Sequence, residues 1–292
     1  MLGVADLAQW IEGARPRTLP AAVAPVLAGS GAAAFTAAFA LGPALLALVV
    51  SLSLQVGVNY ANDYSDGIRG TDDHRVGPVR LVGSGAATPS AVRNAAFAAL
   101  AVAAVSGAVL AAITSWWLLL VGVAAIAAAW GYTGTARPYG YLGLGELFVF
   151  VFFGLVAVCG TTYVQAGTVT GVSVLAAVGV GALACAILVA NNLRDQPTDR
   201  SAGKRTLAVR LGEPGTRMLF VGLHLVSLLV LAGLVPQTRW VLLALVALPL
   251  QARVTGAVLR RARGAGLVPV LRDTGRAELV WAGGLALGLL LA

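Results

Sequence analysis

The sequence predicts an all-α polytopic membrane protein, a bundle of about nine transmembrane helices around a central cavity. Composition points there first: 59% of the 292 residues are apolar and 11% are charged, with a mean hydropathy of +0.87. A soluble domain is about a quarter charged. Apolar runs of about 20 residues, the length needed to cross a bilayer, recur along the whole chain. Charge is also one-sided, as expected when Lys and Arg gather in cytoplasmic loops.

Taken in order, the spans fall at 19–40, 43–65, 90–112, 115–133, 144–166, 172–192, 214–235, 238–259 and 275–292. The first follows Arg15 and Arg17 and contains Pro20 and Pro25. The second ends in a polar cluster, and a basic loop from Arg69 to Arg93 leads to the third. Trp116 and Trp117 open the fourth at the outer edge, where aromatic belts form. Arg137 separates the fourth from the fifth. The sixth ends in a second polar cluster and is followed by the basic stretch Arg194 to Arg217. Trp240 opens the eighth, which contains Pro249, and the run Arg253 to Arg276 leads into the ninth. With the N-terminus inside, only Arg239 faces out. Every Asp and Glu, from Asp6 to Glu278, falls on the inner side as well.

The net charge of +8 lies next to the membrane and suits anionic lipid head groups, so nucleic acid is not expected as a partner. Cys159 and Cys185 lie inside spans without CxxC spacing and read as packing residues. Arg15 and Arg17 ahead of an apolar stretch have the outline of a signal peptide, but that stretch is only the first of many. The 36 glycines suit close helix packing in lipid. Nothing marks a soluble domain, so the chain reads as one domain over 1–292.

The second span ends in Asn59-Tyr-Ala-Asn62-Asp63-Tyr-Ser-Asp66-Gly-Ile-Arg69-Gly-Thr-Asp72. Positions 59, 62, 63 and 66 share one helix face, at a C-terminal end where the dipole is already negative. Carboxylates gathered there repel one another unless a cation joins them. The sixth span ends alike, with Asn191, Asp195 and Asp199 at i, i+4 and i+8; Pro197 is expected to unwind the last step. The spacing N-x-x-x-D thus occurs twice, four spans apart, which suggests an internal duplication placing two acidic helix ends across a cavity. Oxygen ligands without His or Cys favour a hard cation such as Mg²⁺. Arg69, Arg75, Arg80, Arg194, Lys204 and Arg205 are interleaved with these acids. Acids that hold metal, with bases beside them, describe a diphosphate site. The segment Tyr132 to Glu146 adds Arg137 and three tyrosines on the same side, whose rings anchor at the interface or stabilise a cationic centre. His74 and the Gly83-Ser-Gly85 turn carry little weight, and His224 is expected to hydrogen-bond within the bundle.

The start Asp63-x-x-Asp66-Gly67 is shared with CDP-alcohol phosphotransferases, but that match stops at Gly70-Thr71, and no acid follows Asp73 until Glu146. The two-cluster arrangement instead resembles the UbiA superfamily of intramembrane prenyltransferases, over nearly the whole chain. Arg15-Pro-Arg-Thr-Leu-Pro20, Asn62 to Asp72, Arg75 to Gly85, Tyr139 to Glu146, Asn191 to Asp195 and Ala202 to Gly212 resemble its 1,4-dihydroxy-2-naphthoate polyprenyltransferase (MenA-type) branch. The wider superfamily has Asp four residues beyond the Asp66 position, where Gly70 stands. The menaquinone branch shares the longer spacing to Asp72. Gly134-Thr-Ala stands where a second glycine is expected.

The resemblance implies Mg²⁺ held by Asn62, Asp66, Asp72, Asn191, Asp195 and Asp199. It further implies a prenyl diphosphate neutralised by Arg69, Arg137, Lys204 and Arg205, with Asn59 and Tyr139 also contacting substrate. Asp63 and Tyr64 would orient or deprotonate the acceptor. The expected partners are a polyprenyl diphosphate, 1,4-dihydroxy-2-naphthoate and the lipid bilayer. The expected place is the bacterial plasma membrane, with the active face cytoplasmic. Hydroxybenzoate, chlorophyllide or a glycerol phosphate ether are alternative acceptors. A cation-coupled transporter would place its acids nearer mid-bilayer.

Overall fold

The computed structural model describes residues 5–70, 80–135 and 138–292. Among these, all regular structure is helical. A short helix α1 (Leu7–Gly13) precedes α2 (Pro20–Phe35), α3 (Leu41–Ile68), α4 (Pro89–Ile113) and α5 (Leu118–Gly131). These are followed by α6 (Gly145–Ala166), α7 (Gly171–Ser201), α8 (Leu207–Leu234), α9 (Arg239–Leu259) and α10 (Leu267–Leu290).

Each expected span therefore has a helix, but length and apolarity alone do not support nine crossings. Among the described residues, six helices are long and apolar enough, namely α3, α4 and α6 to α9. A seventh appears if α2 is joined to the segment Leu7–Thr18 across a 50° bend. At 14 residues and 1.5 Å per residue, α5 reaches about 21 Å, short of a hydrocarbon core of about 30 Å. In its first half α10 carries Asp273, Arg276 and Glu278, which break its apolar run.

The bundle is centred on α7, whose apolar stretch is 78% buried against α2, α6, α8 and α10. Close approach is made possible by small residues. A Cβ on Gly179 would stand 2.4 Å from the Trp281 ring, and one on Gly154 would stand 2.7 Å from the Gly181 Cα. The contact is tightest at Gly288, where a Cβ would lie 2.2 Å from the Trp240 carbonyl oxygen. Backbone cannot yield as a side chain does. Gly288→Ala is therefore expected to destabilise the protein by about 1–3 kcal/mol, read as a lower unfolding midpoint in detergent.

Prolines obey local geometry. Pro249 sits where the 3₁₀ turns Arg239–Ala247 pass into α-helix, so its missing N–H falls at a junction. Pro197 does not unwind α7, contrary to expectation: the helix continues to Ser201. One absent hydrogen bond is tolerated in the last turns, and Asp199 stays in register with Asn191 and Asp195. His224 also departs from expectation. It packs edge-on against Phe220 at 4.8 Å, and neither ring nitrogen has a hydrogen-bond partner among the described residues. Cys159 and Cys185 are unpaired, and Cys185 Sγ donates to the Glu146 carbonyl at 3.1 Å.

The C-terminal ends of α3, α5 and α7 and the N-terminal ends of α6 and α8 meet at one end of the bundle, around a shared pocket. The outward faces of α3 and α4 expose Leu45, Val49, Val102 and Val105, a surface suited to lipid.

Candidate active site

At 100° per residue, Asn62 and Asp66 form one edge of the polar stripe on α3, while Asn59 and Asp63 form the other, roughly 60° away. The structure uses the two edges differently. Asn62 and Asp66 line a polar pocket of about 80 Å³. Asn59 instead donates to the Ala14 carbonyl at 2.8 Å and to Thr18 Oγ1 at 3.1 Å, tying α3 to the corner between α1 and α2. Asp63, fully buried, accepts from the backbone N–H groups of Leu81 at 2.9 Å and Val82 at 3.0 Å.

Opposite stands the end of α7. Asn191, Asp195 and Asp199 all line the same pocket. Arg194 grips Asp195 with a fork, Nε to Oδ1 at 2.7 Å and Nη2 to Oδ2 at 2.8 Å. The same Nη2 reaches Asn191 Oδ1 at 2.8 Å.

A third wall comes from the turn Tyr139–Leu142 and from Lys204. Lys204 Nζ meets Asp66 Oδ1 at 3.2 Å and lies 4.5 Å from the Tyr141 ring centre. The Tyr141 hydroxyl donates to the same Asp66 oxygen at 2.8 Å, and Arg80 approaches Asp66 Oδ2 at 3.7 Å. Burial works against the Lys204 charge, but Asp66, Tyr141 and Asp199 more than offset it, so its pKa is raised. Burial and then Asp66 push the Tyr141 hydroxyl up as well, against the lowering influence of Lys204. The pocket therefore presents a stable ammonium and a protonated phenol beside its carboxylates.

Two further cavities adjoin it. An apolar one of about 430 Å³ runs between α3, α4, α5 and α6. Its α6 wall includes the π-helical turns Phe150–Val156, a feature that often marks functional sites. Tyr139 stacks on Phe148 at 4.0 Å, and both face this cavity. A third cavity of about 290 Å³ is bounded by Glu12, Arg15, Arg17, Arg80 and Arg194. Arg15 and Asn191 line all three. Arg15 holds a left-handed backbone, φ 55°, which is rare outside glycine and clusters at functional sites.

Of the residues expected to act, Asn62, Asp66, Asn191, Asp195, Asp199 and Lys204 converge on the polar pocket, and Asn59 and Tyr139 face the apolar cavity. Asp72 and Arg137 lie outside the described residues. Four of the expected residues line none of these three cavities. Asp63 is committed to the backbone of Leu81 and Val82. Tyr64 packs in the cluster around Tyr60 and Leu81. Arg69 donates to the carbonyls of Thr133 at 2.9 Å and Thr135 at 2.6 Å. Arg205 is exposed and meets Tyr141 through its backbone N–H at 3.0 Å. From sequence, Arg15 and Thr133 have no role in the pocket wall, and Arg80, Tyr132 and Tyr141 stand only as bases and tyrosines on the same side; all five line the pocket. Arg15 and Arg80 stand in the quoted strings, which was the available signal.

Among the described residues, no three Asp, Glu, His or Cys side chains stand close enough to enclose a metal by themselves. The donors facing the pocket are carboxylate and amide oxygens, a set that fits a hard divalent cation whose shell a ligand's oxygens complete.

Residues 22–265 match the pattern of the UbiA prenyltransferase family. A relative from Mycobacterium tuberculosis, a 1,4-dihydroxy-2-naphthoate octaprenyltransferase, is 58% identical, covering 98% of this chain and all of that one. The Escherichia coli protein of that name is 38% identical, covering 93% and 91%. Among solved structures, a UbiA homolog from Archaeoglobus fulgidus bound to GPP and Mg²⁺ superposes with a TM-score of 0.71 at 15% identity, covering 97% of this chain and 100% of that one. A UbiA homolog from Aeropyrum pernix gives 0.68 at 16%, covering 93% and 97%. Two acidic helix ends facing each other above an apolar cavity, and a pattern match over most of the length, lead to one conclusion: this integral membrane protein belongs to the UbiA prenyltransferase family.

Proposed function

We propose that the protein transfers a polyprenyl group from a prenyl diphosphate to 1,4-dihydroxy-2-naphthoate, with loss of the carboxylate, giving the quinol form of demethylmenaquinone. It works as one domain in the bacterial plasma membrane with its acidic end toward the cytoplasm. The observation that carries this reading is the shared wall of two unlike cavities. An acid and base pocket of about 80 Å³ adjoins an apolar cavity of about 430 Å³, with Arg15, Asn62, Tyr132 and Asn191 common to both. A prenyl diphosphate is polar at one end and apolar along the rest. The names of the relatives, at 58% and 38% identity, support the acceptor.

Mg²⁺ is the cofactor that fits, held by Asn62, Asp66, Asn191, Asp195 and Asp199 with Asp72, and when bound it would offset charge on the diphosphate as the carbon–oxygen bond breaks. Lys204 and Arg80, already directed at Asp66, add positive charge on the leaving-group side. The C1–O bond breaks and its electron pair departs with the diphosphate. The acceptor ring supplies the pair for the new carbon–carbon bond, and departure of the carboxylate as CO₂ returns a pair to the ring. The aromatic rings of Tyr132, Tyr139 and Phe148 line the apolar cavity, where they favour the allylic cation while the apolar wall excludes water. The third cavity, with four arginines to one glutamate, suits a carboxylated acceptor.

The test is mass spectrometry of the product from purified protein supplied with dihydroxynaphthoate and mixed prenyl diphosphates. Demethylmenaquinol, or demethylmenaquinone once air has oxidised it, is expected, with no product after chelation of divalent metal. Equal or faster prenylation of hydroxybenzoate, chlorophyllide or a glycerol phosphate ether would overturn the reading.

A further inference from the structure

Arg194 stands between the polar pocket and the third cavity. Its side chain is only 5% exposed, and a guanidinium carries five N–H donors in a fixed fork. Three donors are in use, on Asp195 Oδ1, Asp195 Oδ2 and Asn191 Oδ1. The Nη1 edge is the one not spent on Asp195 and Asn191, and Arg194 lines the 290 Å³ cavity together with Arg15, Arg17 and Arg80. Ala8, Ile11, Val268 and Leu271 provide apolar surface there, and Glu12 is its one acid. A flat apolar body carrying a carboxylate complements such a site. Arginine is the residue for this task, because its planar fork can serve two carboxylates on two edges while a lysine offers only a point charge.

We propose that Nη1 of Arg194 receives the carboxylate of the aromatic acceptor, so that one guanidinium ties the acceptor to Asp195 and Asn191 of the donor pocket. Arg194 is then a specificity-determining residue: it requires a carboxylate on the acceptor and sets the ring beside Asn191, which lines all three cavities. Acceptors lacking the carboxylate forgo this charge-assisted pair and bind more weakly. This inference rests on the prenyl-transfer reading and specifies its acceptor site.

The experiment measures binding without turnover. Metal-free protein in nanodiscs is titrated with 1-hydroxy-2-naphthoate and with 1-naphthol, followed by ligand fluorescence. The native protein is expected to prefer the carboxylate by at least about tenfold. That preference should fall to about threefold or less in Arg194→Lys and Arg194→Gln, and persist in Arg93→Gln, which alters an exposed arginine that lines none of the three cavities. Arg194→Lys keeps the charge and covers the case in which Arg194→Gln fails to fold. An unchanged preference in Arg194→Lys, or a preference lost in Arg93→Gln as well, overturns the proposal. If the native protein shows no preference yet prenylates dihydroxynaphthoate, the inference fails and the function stands. If it prenylates no aromatic acceptor, both fail.

Discussion

Replacing Asp66 by alanine is expected to lower prenyl transfer by at least about a thousandfold while the bundle remains folded. This carboxylate is the point at which the three walls of the polar pocket meet. Lys204 at 3.2 Å, the Tyr141 hydroxyl at 2.8 Å and Arg80 at 3.7 Å all converge on it. Without it the pocket loses an acid of the proposed metal site, and two cations lose their counter-charge. The deficit should appear in turnover and in donor affinity together, since the pocket binds the diphosphate as well as its developing charge. Asp66→Asn keeps an acceptor for Tyr141 but not the charge, and should be nearly as inactive. Turnover within tenfold of native in Asp66→Ala would remove this residue from the chemistry.

Three residues earlier the same side chain has a different fate. Asp63→Ala is expected to cost stability, about 2–6 kcal/mol, because it strands the N–H groups of Leu81 and Val82 at about 1–3 kcal/mol each. Leu81 is almost wholly buried and packs beside Gly13 and Tyr60, so the segment that delivers Arg80 to the pocket loosens with it. Asp63→Asn retains one acceptor oxygen and should recover about half of the loss. Unfolding midpoints in one detergent make the comparison. Activity of Asp63→Ala per folded molecule should fall far less than that of Asp66→Ala. A native midpoint combined with lost activity would restore Asp63 to the catalytic role that the sequence suggested.

The pair explains what could be read in the sequence. The i, i+3, i+4, i+7 spacing placed Asn59, Asn62, Asp63 and Asp66 on one stripe, and one stripe is what α3 presents. A stripe about 100° wide nevertheless meets two neighbours, and which edge faces the pocket depends on where the segment at Leu81 returns, which spacing does not encode. Asn191, Asp195 and Asp199 were simpler, because the i, i+4, i+8 set drifts only about 40° per step and α7 stays helical through Pro197. Tyr139 and Tyr141 lie two apart on a tight turn, so one faces the apolar cavity and the other reaches Asp66. The apolar cavity itself left no mark. Its lining of Ala, Gly, Val and Leu from α3 to α6 has the same composition as a lipid-facing surface, and the π-helical turns of α6, which pack against Gly181, have no sequence signature. Arg69 shows the limit for charge: its position beside the acids was correct, yet the carbonyls of Thr133 and Thr135 hold it outside the pocket.

The central claim is that the ends of α3 and α7 grip one diphosphate. The most direct measurement is a double-mutant cycle of prenyl diphosphate binding, with Mg²⁺ present, between Asp66→Asn and Asp199→Asn. If both acids act on a single bound group, the losses are non-additive, with a coupling of more than about 1 kcal/mol. Losses that simply add, within about 0.5 kcal/mol, would mean that the two helix ends serve separate sites and would contradict the account.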